Sequence, residues 1–190
     1  GKLMLTTVSV STPNSKVFGL EVLLRWIQAD GVVVPKSVIY EPDVDVEEEK
    51  KASKAEMDGS QDNAVAAAFN YLNRYEPALA QSLRSGDLNS RLVKFDLPNT
   101  GGPSGGLIFA LGIIEKLNTA QLVNGRLIAG TGTINKKGEV GPIGGIEDKL
   151  IGAKRAGATL FIAPIDNCID ITHIPKGLQV VAVSTLAQAV

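Results

Sequence analysis

The sequence predicts a mixed α/β domain of the α+β kind, built from small sheets, hairpins and packed helices, and three observations predict it. Short β-rich runs alternate with stretches in which apolar residues return every three or four positions. A hairpin turn signal, Lys136-Lys137-Gly138, separates two extended runs. The 190 residues suffice for one hydrophobic core, or one core with a small appendage.

In chain order, residues 3–10 (LMLTTVSV) are β-rich and read as a strand, broken at Pro13-Asn14. Residues 18–27 carry apolar side chains at 20, 23, 24 and 27, the stripe of an amphipathic helix, with Trp26 beside it as a packing residue. Asp30-Gly31 ends that helix, and residues 32–34 read as a short extended piece before Pro35. Residues 41–54 turn acidic and then basic, which suits a solvated helix or loop. A helical pattern resumes over 55–71, with an alanine-rich face at 64, 66, 67 and 68 and Ser60 as a cap near its start. Residues 73–91 read as a connection with one helical piece at 78–83, and 92–97 alternate as a strand. After an apolar helix at 107–117, residues 127–134 read as one buried strand, 139–142 as its hairpin return, and 146–156 as a helix stopped by Gly157. Strands at 159–163 and 180–183 and a short terminal helix complete the order.

Composition excludes several classes. Nineteen basic and twenty acidic residues leave a net charge of −1 without a basic stripe for nucleic acid. No run approaches the roughly 18–20 apolar residues of a membrane span. A single cysteine, Cys168, rules out an internal disulfide, and a single histidine, His173, rules out a multi-histidine metal centre. His173 reads as a structural or surface residue and Cys168 as a packed small one, because nothing local supplies a base for a thiolate.

Two features stand out chemically. The turn Thr100-Gly101-Gly102-Pro103-Ser104-Gly105-Gly106 holds a lone serine ahead of the 107–117 helix. Free amides and the positive end of a helix there would stabilise negative charge near the hydroxyl, whether a nucleophile's oxyanion or a bound phosphate. The turn lacks the Gly-Lys-Ser/Thr ending of a Walker loop, and residues 130–134 (GTGTI) lack the third glycine of a dinucleotide fingerprint. The second feature is Lys149, whose neighbours on its helix face, Ile146, Gly152, Ala153 and Ala156, are all uncharged. Burial there would depress its pKa and leave a neutral amine able to take a proton. The rival reading is a lysine that extends its head to water.

Gly102-Pro103-Ser104-Gly105-Gly106 resembles the Gly-Pro-Ser-Ala-Gly nucleophile motif of Lon-type proteases, and residues 129–150 (AGTGTINKKGEVGPIGGIEDKL) resemble that family's second signature. The match continues through Lys154-Arg155 to Pro164, so it covers about the last ninety residues. The resemblance implies a Lon protease-domain-like fold and a Ser–Lys dyad peptidase. Ser104 would be the nucleophile, Lys149 the general base and Thr131 its orienting partner. Backbone amides of Gly101, Gly102 and Ser104 would form the oxyanion hole, with no cofactor, metal or nucleotide. Partners would be unfolded or flexible protein or peptide substrates and, by the family's habit, further copies in a hexameric ring, without nucleic acid. A non-catalytic peptide-binding or ring-forming scaffold of the same fold is the alternative.

Residues 1–8, Trp26 and Met57-Asp58-Gly59-Ser60-Gln61 are similar to bacterial PDZ-containing, membrane-anchored Lon-like proteins, whose protease domain lies outside the cytoplasm. On that basis residues 1–72 form the N-terminal part of the protease domain with a helical extension. Residues 73–91 form a connection too short for the expected PDZ module, and 92–190 form the catalytic core. No ATPase module accompanies these residues, so ATP-independent hydrolysis is expected. Gly101 stands where ATP-dependent Lon enzymes usually carry Asp.

Overall fold

The computed structural model describes residues 1–11, 15–28, 35, 37, 40, 45–85, 93–97, 100–118 and 121–190. The extended piece expected at 32–34 and the packing expected of Trp26 lie outside what it describes. Its centre is a four-stranded parallel sheet in the order β1 (Lys2–Leu5), β2 (Leu127–Gly130), β5 (Leu160–Pro164), β6 (Gln179–Val183). Register runs Leu3 to Ile128, Ala129 to Phe161 and Ile162 to Val181. A separate two-stranded hairpin joins β3 (Thr133–Ile134) to β4 (Val140–Gly141).

Successive side chains of a strand point to opposite faces, so each central strand feeds two cores. Ile128 and Ile162 enter the larger one with the helix α4 (Gly106–Leu117) and, behind it, α2 (Val46–Tyr75). Ala129, Phe161 and Ala163 enter the smaller one, against Ile146, Leu150 and Ala153 of α5 (Ile146–Arg155). Burial on both faces explains why β5 reads as a continuous apolar run instead of alternating. α4 is apolar nearly all round for the same reason: it is wedged between the sheet and α2, with Leu107, Ala110 and Ile114 fully buried.

α2 is one continuous helix of 30 residues, about 45 Å long. Asp45 caps it, its carboxylate accepting from the Glu47 amide at 2.9 Å, and three glutamates in the first turn complement the helix dipole. Met57, Ser60, Ala64, Ala67, Ala68 and Leu72 are its buried positions. The small alanines let α2 approach α4 closely. Ser60 therefore does not cap a helix start; it lies in the middle of α2 and is buried. α2 ends at Tyr75, and α3 (Pro77–Ser85) follows.

Other sequence expectations shift for local reasons. β1 stops at Leu5, where the neighbouring strand also stops, and residues 7–11 continue without ladder pairing and exposed. The 127–134 run splits between two sheets at Thr131-Gly132. Gly132 has φ +150°, and a Cβ there would lie 3.0 Å from Val140 Cγ1, so only glycine turns this corner easily. Residues 93–97 are not a strand, although Val93, Phe95 and Leu97 still pack on the larger core while Lys94 and Asp96 are exposed. The helix α1 (Gly19–Gln28) forms as expected, but its stripe residues Leu20, Leu23, Leu24 and Ile27 are all exposed. A short α6 (Leu186–Ala189) closes the described chain under a Thr185–Gln188 capping box. Among the described residues, no helix is long and apolar enough to cross a membrane.

Candidate active site

The Ser104 turn is shaped from one side by α2. Ser53, Met57, Ser60 and Ala64 follow each other at helical spacing on one face. From this face the Ser53 carbonyl accepts the Gly102 amide at 3.0 Å, and Ser60 Oγ donates to the Pro103 carbonyl at 3.0 Å. A Cβ on Gly101 would fall 2.1 Å from Ser53 Oγ and 3.2 Å from its Cβ. The approach of α2 thus accounts for glycine at 101.

From the other side the turn is held by the end of β2. The Ser104 carbonyl accepts the Gly132 amide at 2.8 Å and Thr131 Oγ1 at 3.0 Å. Thr131 is fully buried at the carboxyl end of a parallel strand, the end at which open α/β sheets place their ligands. Here the two amides that begin α4 are already engaged: Gly106 N–H with the Pro103 carbonyl at 3.3 Å, and Leu107 N–H with the Gly132 carbonyl at 3.0 Å. The freely available helix amides expected beside Ser104 are therefore reduced, because the turn's own Pro103 carbonyl and the Gly132 carbonyl occupy them. Among the three amides expected to form an oxyanion hole, Gly102 N–H is also committed, to Ser53.

Lys149 comes from the first turns of α5, whose N-cap Gly145 takes the left-handed conformation at φ +68°. The loop feeding α5 is clamped by Asn167, which is only 2% exposed. Its Oδ1 accepts the Ile143 amide at 2.9 Å, and its Nδ2 donates to the Ile143 carbonyl at 2.8 Å and to Asp170 Oδ2 at 2.9 Å. Glu147, one turn edge away, points outward and accepts from the Thr172 amide at 2.8 Å and the His173 amide at 3.2 Å. These bonds, Thr172's side chain first, hold its carboxyl below the usual range. Asp148 is raised instead, by burial and then by the charge of Glu147.

Lys149 is 2% exposed, and burial pulls its pKa from 10.5 down to about 8. Its Nζ lies 2.9 Å from Ser104 Oγ and 3.0 Å from Thr131 Oγ1. The reading in which this lysine extends to water does not hold. The hydrogen-bond inventory then fixes a direction. Thr131 has one hydroxyl proton and gives it to the Ser104 carbonyl, so toward Lys149 it can only accept. A neutral amine spends one N–H on Thr131 and turns its lone pair to the Ser104 hydroxyl. The arrangement can accept a proton from Ser104.

His173 and Cys168 lie on the surface, and Cys168 is exposed where packing was expected, because it sits on the outer side of the short 3-10 helix Ile165–Asp170. Among the described residues, no three His, Cys, Asp or Glu side chains converge on a potential metal position. Sequence reading missed Ser53, Ser60 and Asn167 as parts of this constellation. Ser60 alone carried a signal, a polar residue on the small apolar face of a helix, and it was read as a cap.

Comparison with known proteins gives the family of the chain. The family model of the Lon protease (S16) C-terminal proteolytic domain matches residues 66–190. A Lon protease from Clostridium beijerinckii is 34% identical over 114 residues, 58% of this chain and 14% of that protein. Lon protease 2 of Herpetosiphon aurantiacus is 37% identical over 110 residues, 54% of this chain and 13% of that protein. Lon protease 2 of Desulfotalea psychrophila is 28% identical over 167 residues, 85% of this chain and 20% of that protein. The chain thus spans a fifth or less of the length of these relatives. Matched over its hairpin, α4, α5 and the whole sheet beyond β1, it belongs to the Lon protease C-terminal proteolytic domain family.

Proposed function

We propose that this domain is a serine endopeptidase in which Ser104 is the nucleophile, Lys149 the general base and Thr131 the residue that orients the lysine. The observation that carries the reading is the 2.9 Å approach of a buried lysine, its pKa lowered by that burial, to a serine hydroxyl, with a threonine fixing its lone pair. Lys149 in its neutral form takes the Ser104 Oγ proton as Oγ attacks the scissile carbonyl. The tetrahedral intermediate collapses when Lys149, now an ammonium, gives that proton to the departing amine, leaving an acyl ester on Ser104. Lys149 then takes a proton from water, the hydroxide attacks the ester, and the proton returns to Ser104 Oγ. Every proton is handled by one amine, so the cycle closes without histidine.

The proposed substrates are unfolded or flexible proteins, cleaved without ATP, and both proposals rest on the resemblance of the Ser104 and Lys149 motifs. Association into a hexameric ring and a membrane-anchored, extracytoplasmic parent are proposed on resemblance alone, the latter from residues 1–8 and 57–61. The deciding experiment is casein hydrolysis by wild-type protein and by Ser104→Ala. The variant should lose activity while melting at the wild-type temperature. Undiminished hydrolysis by the pure variant would remove Ser104 from the mechanism, and an inert wild type in its assembled state would favour the scaffold role.

A further inference from the structure

We propose that Ser60 is a positioning residue for the oxyanion site: by holding the Pro103 carbonyl, it turns the Ser104 N–H away from α2, to serve an oxyanion formed at Ser104. The inference rests on Ser104 being the nucleophile. It starts from the geometry of one peptide unit. The described chain has no cis peptide, so the Pro103 C=O and the Ser104 N–H lie in one plane and point in opposite directions. The carbonyl is drawn toward α2, where Ser60 Oγ donates to it at 3.0 Å. The N–H must therefore face away from α2. The next peptide unit is fixed as well, because the Ser104 carbonyl is held by Thr131 Oγ1 and the Gly132 amide. Ser104 thus sits between two locked planes.

Direction separates the candidate donors. The Gly102 N–H points into α2, at the Ser53 carbonyl, and cannot meet an oxyanion on the opposite side. The Ser104 N–H belongs to the residue whose Oγ bonds the substrate carbon, which keeps it near any oxygen on that carbon. Ser60 is 4% exposed, so its hydroxyl does not exchange this bond for one to bulk water. Without it the Pro103 carbonyl keeps only the Gly106 amide, at 3.3 Å. The plane is then held by that one longer bond, and its rotation swings the donor away from the oxyanion. Ser60 lies outside the 66–190 match.

The test is Ser60→Ala in the full chain, assayed with a fluorogenic peptide and with a peptide aldehyde that forms a tetrahedral adduct on Ser104. Expected are a 10- to 100-fold fall in kcat, somewhat under the loss of a whole donor, with KM within twofold. Aldehyde affinity should fall by the same factor as kcat, and the midpoint of the pH–rate profile should stay where the wild type has it. Ser60→Cys, which keeps the volume but donates poorly, should show the same pattern and replaces the alanine variant if that one does not melt cooperatively. A kcat within twofold of wild type, a loss confined to KM, or a loss with a shifted pH midpoint would each overturn the proposal. Failure of the peptidase reading is distinct: there the wild type shows no hydrolysis that Ser104→Ala removes.

Discussion

At the scale of single residues, the site depends on how few hydrogen-bonding options each group has. Thr131 owns one proton and spends it on the Ser104 carbonyl, so its bond to Lys149 has a fixed sense. Thr131→Val keeps the shape and removes both roles. It should lower kcat about 10- to 100-fold, the scale of one or two buried hydrogen bonds to a titrating group, with little change in KM in a steady-state peptide assay. Lys149→Arg should be inactive in the same assay, because guanidinium stays protonated and cannot act as a base. Ser104 and Lys149 were readable from sequence because their surroundings are compositionally odd: glycines around one, an uncharged helix face around the other. Asn167 was not readable. Its function lies in pairing with both backbone groups of Ile143, a contact 24 positions away that no local pattern encodes. Asn167→Ala strips both partners and should cost about 2 kcal/mol in chemical denaturation, with a loss of activity as the loop into α5 loosens.

At the scale of elements, periodicity predicted most of the regular structure, and tertiary context decided where each element stopped. The helices at α4 and α5 and the strands β5 and β6 came out within about two residues of expectation, since each is bounded by glycine, proline or a polar turn. The failures have specific causes. Residues 93–97 alternate as a strand does, yet alternation reports only a half-buried surface, and here that surface is satisfied by packing on Phe109 and its neighbours without a ladder. The 127–134 run looks continuous because Thr131-Gly132 carries no turn signature, although Gly132 there splits one strand into two sheets. Gly132→Ala tests that corner. The strained φ and the contact with Val140 should reduce stability by about 1–3 kcal/mol, and displacement of Thr131 and of the amide holding the Ser104 carbonyl should reduce activity beyond the stability loss.

At the scale of the whole molecule, a buried lysine is a cost to folding that the proposed dyad imposes. With its folded pKa near 8 against 10.5 when unfolded, Lys149 binds its proton more weakly in the native state. The unfolded chain therefore holds more protons between pH 8 and 10.5, and stability rises with pH across that window and is level below it. The depressed pKa corresponds to roughly 3 kcal/mol at neutral pH. Lys149→Met should consequently be as stable as wild type or more so at pH 7 in urea titrations, with that advantage vanishing toward pH 10.5, while remaining inactive. The N-terminal region stays the least legible part at this scale, because the stripe that predicted α1 so clearly is exposed instead of contributing to either core. The same depressed pKa sets the most direct measurement of the central claim, the pH dependence of kcat/KM for peptide hydrolysis by the wild-type protein. The Ser104–Lys149 mechanism predicts a rate that climbs from pH 6, reaches half its maximum near pH 8 and levels off above it. A rate flat from pH 6 to 10, or a midpoint near 10.5 where an ordinary lysine titrates, would contradict it.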